Sequence, residues 1–215
     1  MMERLTMIQV STPTLSPRRR VAMTWVVWIT AVIAYGFAVM QRTSLGVMGL
    51  TAAAHFNAPA SVVATFMVLQ LAIYAVLQIP AGITVDRLGS RVVITAGSTV
   101  MAIGQVVMAL AGSVGGAVLA RLLVGCGDAF IFGAAIRLVP AWFPPKQTPL
   151  VTQLTGLLGQ FGQVASAVGL VAMVNSNGWR STYLLAAGGA AAAAVLAVLL
   201  IRDAPPAVEP QRTDT

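Results

Sequence analysis

Six long apolar stretches, separated by short polar connections, account for most of the chain. Each stretch is close to the roughly 20 residues that an α-helix needs to cross a lipid bilayer. The connections are too short to hold a soluble domain. The pattern therefore predicts an all-α membrane protein with six transmembrane helices in one bundle. The predicted spans are 21–43, 61–83, 92–111, 117–139, 150–174 and 182–201.

The two ends of the chain differ from this apolar middle. Residues 1–20 and 202–215 are polar and rich in proline, which is typical of segments that cannot bury a core. The predicted organisation is thus a disordered tail over 1–20, a transmembrane bundle over 21–201 and a second tail, or the beginning of a linker, over 202–215.

Composition agrees with a membrane location. Hydrophobic residues make up 58% of the chain and charged residues only 9%, against about 25% charged residues in soluble domains. The net charge of +7 comes with basic residues that stand mostly alone at the ends of spans, so it indicates membrane orientation rather than nucleic-acid binding. The single cysteine, Cys126, excludes an internal disulfide.

Orientation follows from the positions of lysine and arginine. With six spans, both tails lie on the same side as the connections after spans two and four, and that side carries nearly all the basic residues. The positive-inside rule predicts that this side is cytoplasmic. The opposite side carries only Arg180 in its connections. The residues counted on the cytoplasmic side are Arg4, Arg18, Arg19, Arg20, Arg87, Arg91, Lys146, Arg202 and Arg212.

A charged connection with glycines follows the second span. It contains Gly82, Asp86, Arg87, Gly89 and Arg91, which include the only Asp, Glu, Lys or Arg residues between Arg42 and Arg121. Glycine permits a tight reversal of the chain, and the charges remain in the headgroup layer. The predicted structure is a short turn over 86–91.

This connection resembles the loop between helices two and three of the major facilitator superfamily (MFS), with Ser90 in place of the first of two basic residues. Other segments resemble further MFS motifs in the same order. Span five is rich in glycine like the fifth MFS helix, although the Gly-Pro pair of that helix is absent. The matching motifs are Arg121-x-x-x-Gly125-x-Gly127, Trp142-Phe143-Pro144 with Lys146, and Gly178-Trp179-Arg180.

The resemblance covers the N-terminal half of the family pattern. MFS transporters have two six-helix bundles, each an inverted 3+3 repeat, with the substrate held between them. The resemblance therefore implies that this chain needs a second six-helix bundle for alternating access. Three interpretations stay open: one product of a split gene, a chain that pairs with a second copy of itself, or a truncated remnant without transport.

Charges inside spans indicate mechanism, because they are expensive in lipid and usually mark a pathway. Arg121 and Asp128 are seven residues apart and so lie on nearly the same face of a helix, with Gly125 between them leaving that face open. They are either a structural pair bridged by long side chains or water, or an anion-attracting arginine in a cavity with a proton-carrying acid. The resemblance to MFS symporters that move organic anions with protons favours the second interpretation.

The first span supports the same hypothesis. Phe37 to Leu45 resembles the first-helix signature of those symporters, in which an acid precedes the arginine; here Gln41 stands before Arg42, which removes one protonatable group. If the helix ends near Thr43, Arg42 extends to the outer interface. If it continues through Leu50, Arg42 faces the cavity, where its planar donors suit a carboxylate or phosphate.

Further polar residues in the spans have two interpretations. Gln70, Tyr74 and Gln78 recur every four residues, and such a stripe either lines a cavity or forms hydrogen bonds between helices. The glycines and glutamines of span five are interpreted as helix packing. Arg137 is expected to extend to the cytoplasmic interface, and His55 is expected to be an exposed loop residue.

No catalytic motif, nucleotide-binding loop or metal-ligand cluster occurs in the sequence. We therefore expect no enzyme activity, no cofactor, no metal and no nucleic acid. The predicted function is half of an MFS symporter of the plasma (inner) membrane that moves a small, anionic solute, with lipid and a second six-helix half as partners. Alternatives are a non-transporting remnant, a structural membrane subunit, or half of a nitrate or nitrite carrier.

The residues predicted to carry this function form three groups. The anion is assigned to Arg42, Arg121, Gln70 and Tyr74, and the proton to Asp128. The cytoplasmic gate is assigned to Gly82, Asp86, Arg87, Gly89 and Arg91.

Overall fold

Helices form almost the whole of the computed structural model, which describes residues 17–205. The parts of the two predicted tails before residue 17 and after residue 205 lie outside the described residues. A π-helical turn, Ser166–Leu170, joins the last two helices. The helices are α1 (Pro17–Val47), α2 (Gly49–His55), α3 (Ala60–Leu88), α4 (Ser90–Leu110), α5 (Val114–Trp142), α6 (Thr148–Ala165) and α7 (Val171–Leu200).

Within residues 17–205, five helical stretches are long and apolar enough to cross a membrane, and the last of these, Thr148–Leu200, contains 53 residues. At about 1.5 Å per residue it would be far longer than the roughly 30 Å hydrocarbon core. Inside it, Gly178 has φ 78° and ψ 175°, which breaks the helix. This stretch therefore holds two crossings that meet at Gly178, and the chain crosses six times, as predicted.

Packing at the two ends of the bundle confirms this reversal. Val174 and Trp179 share one apolar cluster with Met108, at the end of α4. Ile201, after α7, packs in another cluster with Val93, at the beginning of α4. The two ends are called below the Trp179 end and the Gly89 end. The second part of α7 thus runs antiparallel to α4 along its full length.

Several helices continue past the apolar spans predicted from the sequence. α1 begins at Pro17 and ends at Val47 rather than covering 21–43, and α3 continues to Leu88 rather than ending at 83. A helix is held by its backbone hydrogen bonds and does not need apolar side chains. It can therefore continue through charged residues in the headgroup layer. The predicted turn over 86–91 is reduced to Gly89, with φ 81°, and Gly82 lies inside α3.

Close contact between α1 and α6 depends on glycine. A Cβ atom on Gly162 would collide with the carbonyl of Gly36, and one on Gly159 would collide with the ring of Tyr35. The packing interpretation of the span-five glycines is confirmed at these two positions. It is wrong for Gly156 and Gly169, where a Cβ would meet no atom within 4 Å.

Candidate functional site

An ion pair joins α1 and α5 inside the bundle. Nε of Arg42 lies 2.5 Å from Oδ2 of Asp128, and Nη2 lies 2.8 Å from Oδ1, which is a bidentate pair. The Asp128 side chain is fully buried, whereas 21% of the Arg42 side chain is exposed. Bidentate pairs of this kind are among the strongest hydrogen-bonded contacts in proteins. The arginine can thus be reached from outside the bundle, and its carboxylate partner cannot.

An aromatic ring completes the surroundings of Arg42. The guanidinium carbon lies 4.6 Å from the centroid of the Tyr74 ring, a cation–π geometry. α1 continues beyond Arg42 to Val47, so the interpretation in which this helix ends near Thr43 is wrong. Arg42 points across to α5 and not along α1 to the membrane interface.

The second arginine of the interior, Arg121, has only neutral partners. Its Nη1 donates to the carbonyl of Gln41 at 3.3 Å, to Oγ of Ser44 at 3.1 Å and to Oε1 of Gln70 at 3.5 Å. Its Nη2 donates to the hydroxyl of Tyr183 at 3.2 Å. Arg121 is 0% exposed, so an anion would reach it only after this packing changes. The guanidinium ties α1, α3 and α7 to α5.

Arg121 and Asp128 form no direct ion pair with each other, in contrast to the interpretation that they are a structural pair. Both side chains instead contact α1, Asp128 at Arg42 and Arg121 at Gln41 and Ser44. Their seven-residue spacing gives them a common face, as predicted.

Gly125 lies on α5 between these two residues, but its face is not open, which corrects the expectation for this glycine. A Cβ there would lie 2.6 Å from the Gln70 carbonyl oxygen. Gly125 therefore lets α3 pack closely on α5, and the backbone of α3 fills the space.

The polar stripe of α3 divides into three environments. Gln70 is buried and bridges two elements, because its Nε2 donates to the Arg42 carbonyl while its Oε1 accepts from Arg121. Tyr74 is half-buried under Arg42, and Gln78 is exposed. The interpretation of hydrogen bonding between helices thus describes Gln70.

Gln41, where the resemblance leads one to expect an acid, is buried next to this network. Its carbonyl accepts from Arg121, and its Oε1 has no hydrogen-bond partner. Nε of Arg121 is also unpartnered. Position 41 therefore adds no charge to compensate that of Arg121.

The Gly89 end carries the predicted gate residues. Asp86 lies 3.1 Å from Nη1 of Arg137, which also donates to the carbonyl of Val85. Arg137 thus pairs with the gate, rather than only extending to the interface as expected. Gly82 and Arg87 are exposed.

The α3–α4 turn is also tied to the end of α7. The backbone N–H of Arg91 donates to Oδ1 of Asp203 at 3.0 Å, and its side chain donates to the carbonyl of Val198 at 2.5 Å. The Asp203 carboxylate fills the space beside Gly89.

Sequence reasoning missed three residues and one contact. Tyr183 and Asp203 are partners of Arg121 and Arg91 across the fold, and no spacing along the chain indicates such contacts. Arg137 was named but not linked to Asp86. Tyr35, whose hydroxyl accepts from Nε2 of Gln160 at 3.3 Å, had a usable signal, because it stands seven residues before Arg42 and therefore shares its face of α1.

One other prediction concerns a single residue, His55. His55 is exposed, as predicted, but it is the last residue of α2 rather than a loop residue, and its ring stacks on Trp179 with centroids 4.5 Å apart. Within residues 17–205, no group of three His, Cys, Asp or Glu side chains is arranged to hold a metal ion.

Comparisons with known proteins identify transporters. The probable sulfoacetate transporter SauU of Cupriavidus necator is 23% identical over 132 residues, covering 61% of this chain and 31% of that protein. The probable L-galactonate transporter of Escherichia coli is 24% identical over 157 residues, covering 73% of this chain and 34% of that protein. The hexuronate transporter of Escherichia coli is 24% identical over 115 residues, covering 54% and 27%. The matches thus span about a third or less of these relatives.

Solved structures agree with the fold. A bacterial homologue of the human lysosomal transporter Spinster, in an inward-facing and occupied conformation, superposes with a TM-score of 0.74 at 18% identity, covering 90% of this chain and 46% of that one. A POT family transporter in complex with 5-aminolevulinic acid gives a TM-score of 0.67 at 16% identity, covering 88% and 41%.

The family itself is established by a match over most of the chain. The family model described as Major Facilitator Superfamily matches residues 27–214. This range includes most of the first crossing and all of the other five, the Arg42–Asp128 pair and the Gly89 turn. The protein is therefore a multi-pass membrane protein of a transporter family, and the chain belongs to the Major Facilitator Superfamily.

Proposed function

We propose that this bundle is one half of a proton-coupled symporter for a small organic anion, in which Arg42 binds the anionic group and Asp128 binds the proton. The observation that carries the proposal is the bidentate ion pair between an accessible arginine and a fully buried acid. A substrate carboxylate has the same two-oxygen geometry as the Asp128 carboxylate. The two therefore compete for the same guanidinium donors.

This competition couples the anion to the proton. While Asp128 is ionised, it occupies the donors of Arg42, and an arriving anion would also meet its negative charge. A proton on Asp128 removes that charge and weakens the pair, so that Arg42 can bind the anion. Each ligand thus promotes binding of the other, which is the thermodynamic condition for cotransport.

Arg121 supports this site through Gln70. Its guanidinium contacts Gln70, and Gln70 in turn donates to the Arg42 carbonyl. The positive charge of Arg121 has no carboxylate within hydrogen-bond distance, so it raises the electrostatic potential around Arg42 in favour of an anion. Tyr74 stacks beneath Arg42 and fixes the orientation of its guanidinium.

The relatives are consistent with an anionic solute, because sulfoacetate, galactonate and hexuronate are all anions. Alternating access requires two bundles that move against each other. We propose that a second six-helix bundle faces Arg42, with the Gly82–Arg91 gate on the cytoplasmic side of the plasma membrane. The transporter structures above, of which this chain covers 46% and 41%, support the proposal of a second bundle.

The test is uptake of labelled organic anions by the transporter assembled from this bundle and its second bundle. Arg42→Gln should lower uptake by about 30-fold or more, because losing the charged partner of a buried anion costs about 2–5 kcal/mol. Arg42→Lys should retain part of the activity. Arg180→Gln, which removes an exposed arginine at the Trp179 end, is the control and should leave uptake unchanged. Uptake by Arg42→Gln at the level of the unmodified protein would refute the proposal.

A further inference from the structure

One of the four tryptophans, Trp25, has an indole N–H that donates to no acceptor within residues 17–205. The Trp25 side chain is also 45% exposed, whereas the other three are buried. Tryptophan usually finds a partner for its N–H, and it is enriched where membrane meets water. The acceptor for Trp25 therefore comes from the surroundings of the bundle. The tryptophans that donate to oxygen atoms of the protein are Trp28, Trp142 and Trp179.

The Trp25 ring is held in place at the Gly89 end of the bundle. Its centroid lies 5.5 Å from that of Trp28 and 5.5 Å from that of Phe143, both in edge-to-face geometry. Trp28 and Phe143 belong to the apolar cluster that contains Ile201, at the end of α7. Edge-to-face contacts of this kind stabilise aromatic groups beyond the area that they bury. Trp25 is thus an ordered ring at the membrane surface.

Basic side chains lie on the outer side of this ring. Arg18 stands seven residues before Trp25, so it shares the same face of α1 and lies about 10 Å further out along the axis. Lys146 follows Phe143 by three residues, in the connection between α5 and α6, and Arg18 and Lys146 are both exposed. Neither forms an ion pair with a carboxylate of residues 17–205. The charge around Trp25 is therefore positive.

The same face of α1 is apolar on the inner side of the ring. Ile29 stands four residues after Trp25 and is 46% exposed. Val32, seven residues after Trp25, lines an apolar groove between α1 and α6 that also includes Gly36 and Phe161. One face thus presents a cation, an indole N–H and an apolar groove in that order. The anionic headgroup, ester carbonyl and acyl chain of a phospholipid follow the same order.

We propose that an anionic phospholipid binds here, and we call Arg18, Trp25 and Lys146 the Trp25 site. The two basic residues hold the phosphate and the anionic headgroup, for which the donors of a guanidinium are well arranged. Trp25 donates to an ester carbonyl, and one acyl chain lies along Ile29 toward the groove. A zwitterionic lipid binds more weakly, because its own ammonium group compensates its phosphate. The proposal does not depend on which solute is transported.

A position on α1 distinguishes this site from a diffuse attraction between basic residues and the membrane. Arg20 is as exposed as Arg18 in class, but it stands five residues before Trp25 and so points about 140° away around the helix. Diffuse attraction would depend equally on both arginines, at about fivefold in binding for each. A defined site depends on Arg18 and much less on Arg20.

The test uses the full chain in detergent and measures quenching of tryptophan fluorescence by lipids brominated near the glycerol end of one acyl chain. Brominated phosphatidylglycerol should half-saturate at a lipid fraction at least about tenfold lower than brominated phosphatidylcholine, as expected for two basic contacts. Trp25→Phe should lose most of the quenching, because the other three tryptophans are buried. Arg18→Gln and Lys146→Gln should each raise the half-saturating fraction of phosphatidylglycerol about fivefold. Arg20→Gln is the matched control and should change it less than about twofold.

Three outcomes would overturn the proposal. Equal half-saturation by the two lipids would mean that the site does not recognise an anionic headgroup. Equal weakening by Arg18→Gln and Arg20→Gln would show diffuse attraction instead of a defined site. Displacement of brominated phosphatidylglycerol by an equal concentration of inorganic phosphate would show a phosphate site without a role for the acyl chain.

Discussion

At the scale of single residues, the two arginines in the middle of the bundle have opposite surroundings. Arg42 pairs with a carboxylate and keeps part of its side chain exposed, whereas Arg121 is fully buried among neutral acceptors. The sequence indicated that both positions matter, since charges in a span are costly. It could not indicate their partners, because Arg42 and Asp128 are 86 residues apart and meet only when α1 packs on α5.

A surface ion pair gives a prediction at this scale. The side chains of Asp86 and Arg137 are 77% and 42% exposed, and exposed pairs contribute about 0–1 kcal/mol. Asp86→Asn should therefore leave expression unchanged and lower the free energy of unfolding by no more than about 1 kcal/mol. Denaturant titration in detergent measures this change. A loss of membrane insertion would instead show that Asp86 is needed for topology.

At the scale of elements, hydrophobic length predicted the number of helices and their order. It could not predict where α1 and α3 end, because a helix continues into the headgroup layer while its backbone hydrogen bonds are satisfied. The reversal at Gly178 was predicted as a connection over 175–180, and the structure needs only this one non-helical residue. Glycine contacts between helices were predicted as a class, but the sequence does not tell Gly162, which packs on α1, from Gly156, which does not.

Packing of α6 on α1 gives a second prediction. Gly162→Ala should lower the free energy of unfolding by about 1–3 kcal/mol, because the added methyl group would push the Gly36 backbone away. Gly156→Ala is the matched control and should be neutral or stabilise by up to about 1 kcal/mol, since its methyl group meets open space. Thermal unfolding of both variants in detergent provides the measurement. Equal destabilisation by the two would contradict close glycine packing at Gly162.

At the scale of the whole molecule, six crossings place the Gly89 and Trp179 ends on opposite sides of the membrane. The matched relatives are about three times as long as their matching segments, and the aligned Spinster homologue is about twice as long as its matching segment. The Arg42–Asp128 pair lies inside the bundle, with the Arg42 side chain 21% exposed. The fold alone does not name a solute, and the assignment of an anion rests on the chemistry of these side chains.

Orientation is tested by cysteine labelling. In a Cys126→Ala background, single cysteines at Asn57 and Gln147 occupy exposed positions at opposite ends of the bundle. An impermeant maleimide should label Asn57→Cys in intact cells and Gln147→Cys only after permeabilisation, because the Lys and Arg distribution places residue 147 in the cytoplasm. Equal labelling of both in intact cells would refute the predicted topology.

The central claim, that Asp128 couples a proton to the anion bound by Arg42, is tested most directly by Asp128→Asn in proteoliposomes containing the assembled transporter. Asparagine keeps the shape of the side chain, and its carboxamide cannot take up or release a proton near neutral pH. The unmodified protein should accumulate the anion in response to a proton gradient. Asp128→Asn should lose this accumulation but keep exchange of labelled for unlabelled anion, since Arg42 remains free to bind it. Accumulation by Asp128→Asn with the same dependence on the proton gradient would contradict the account.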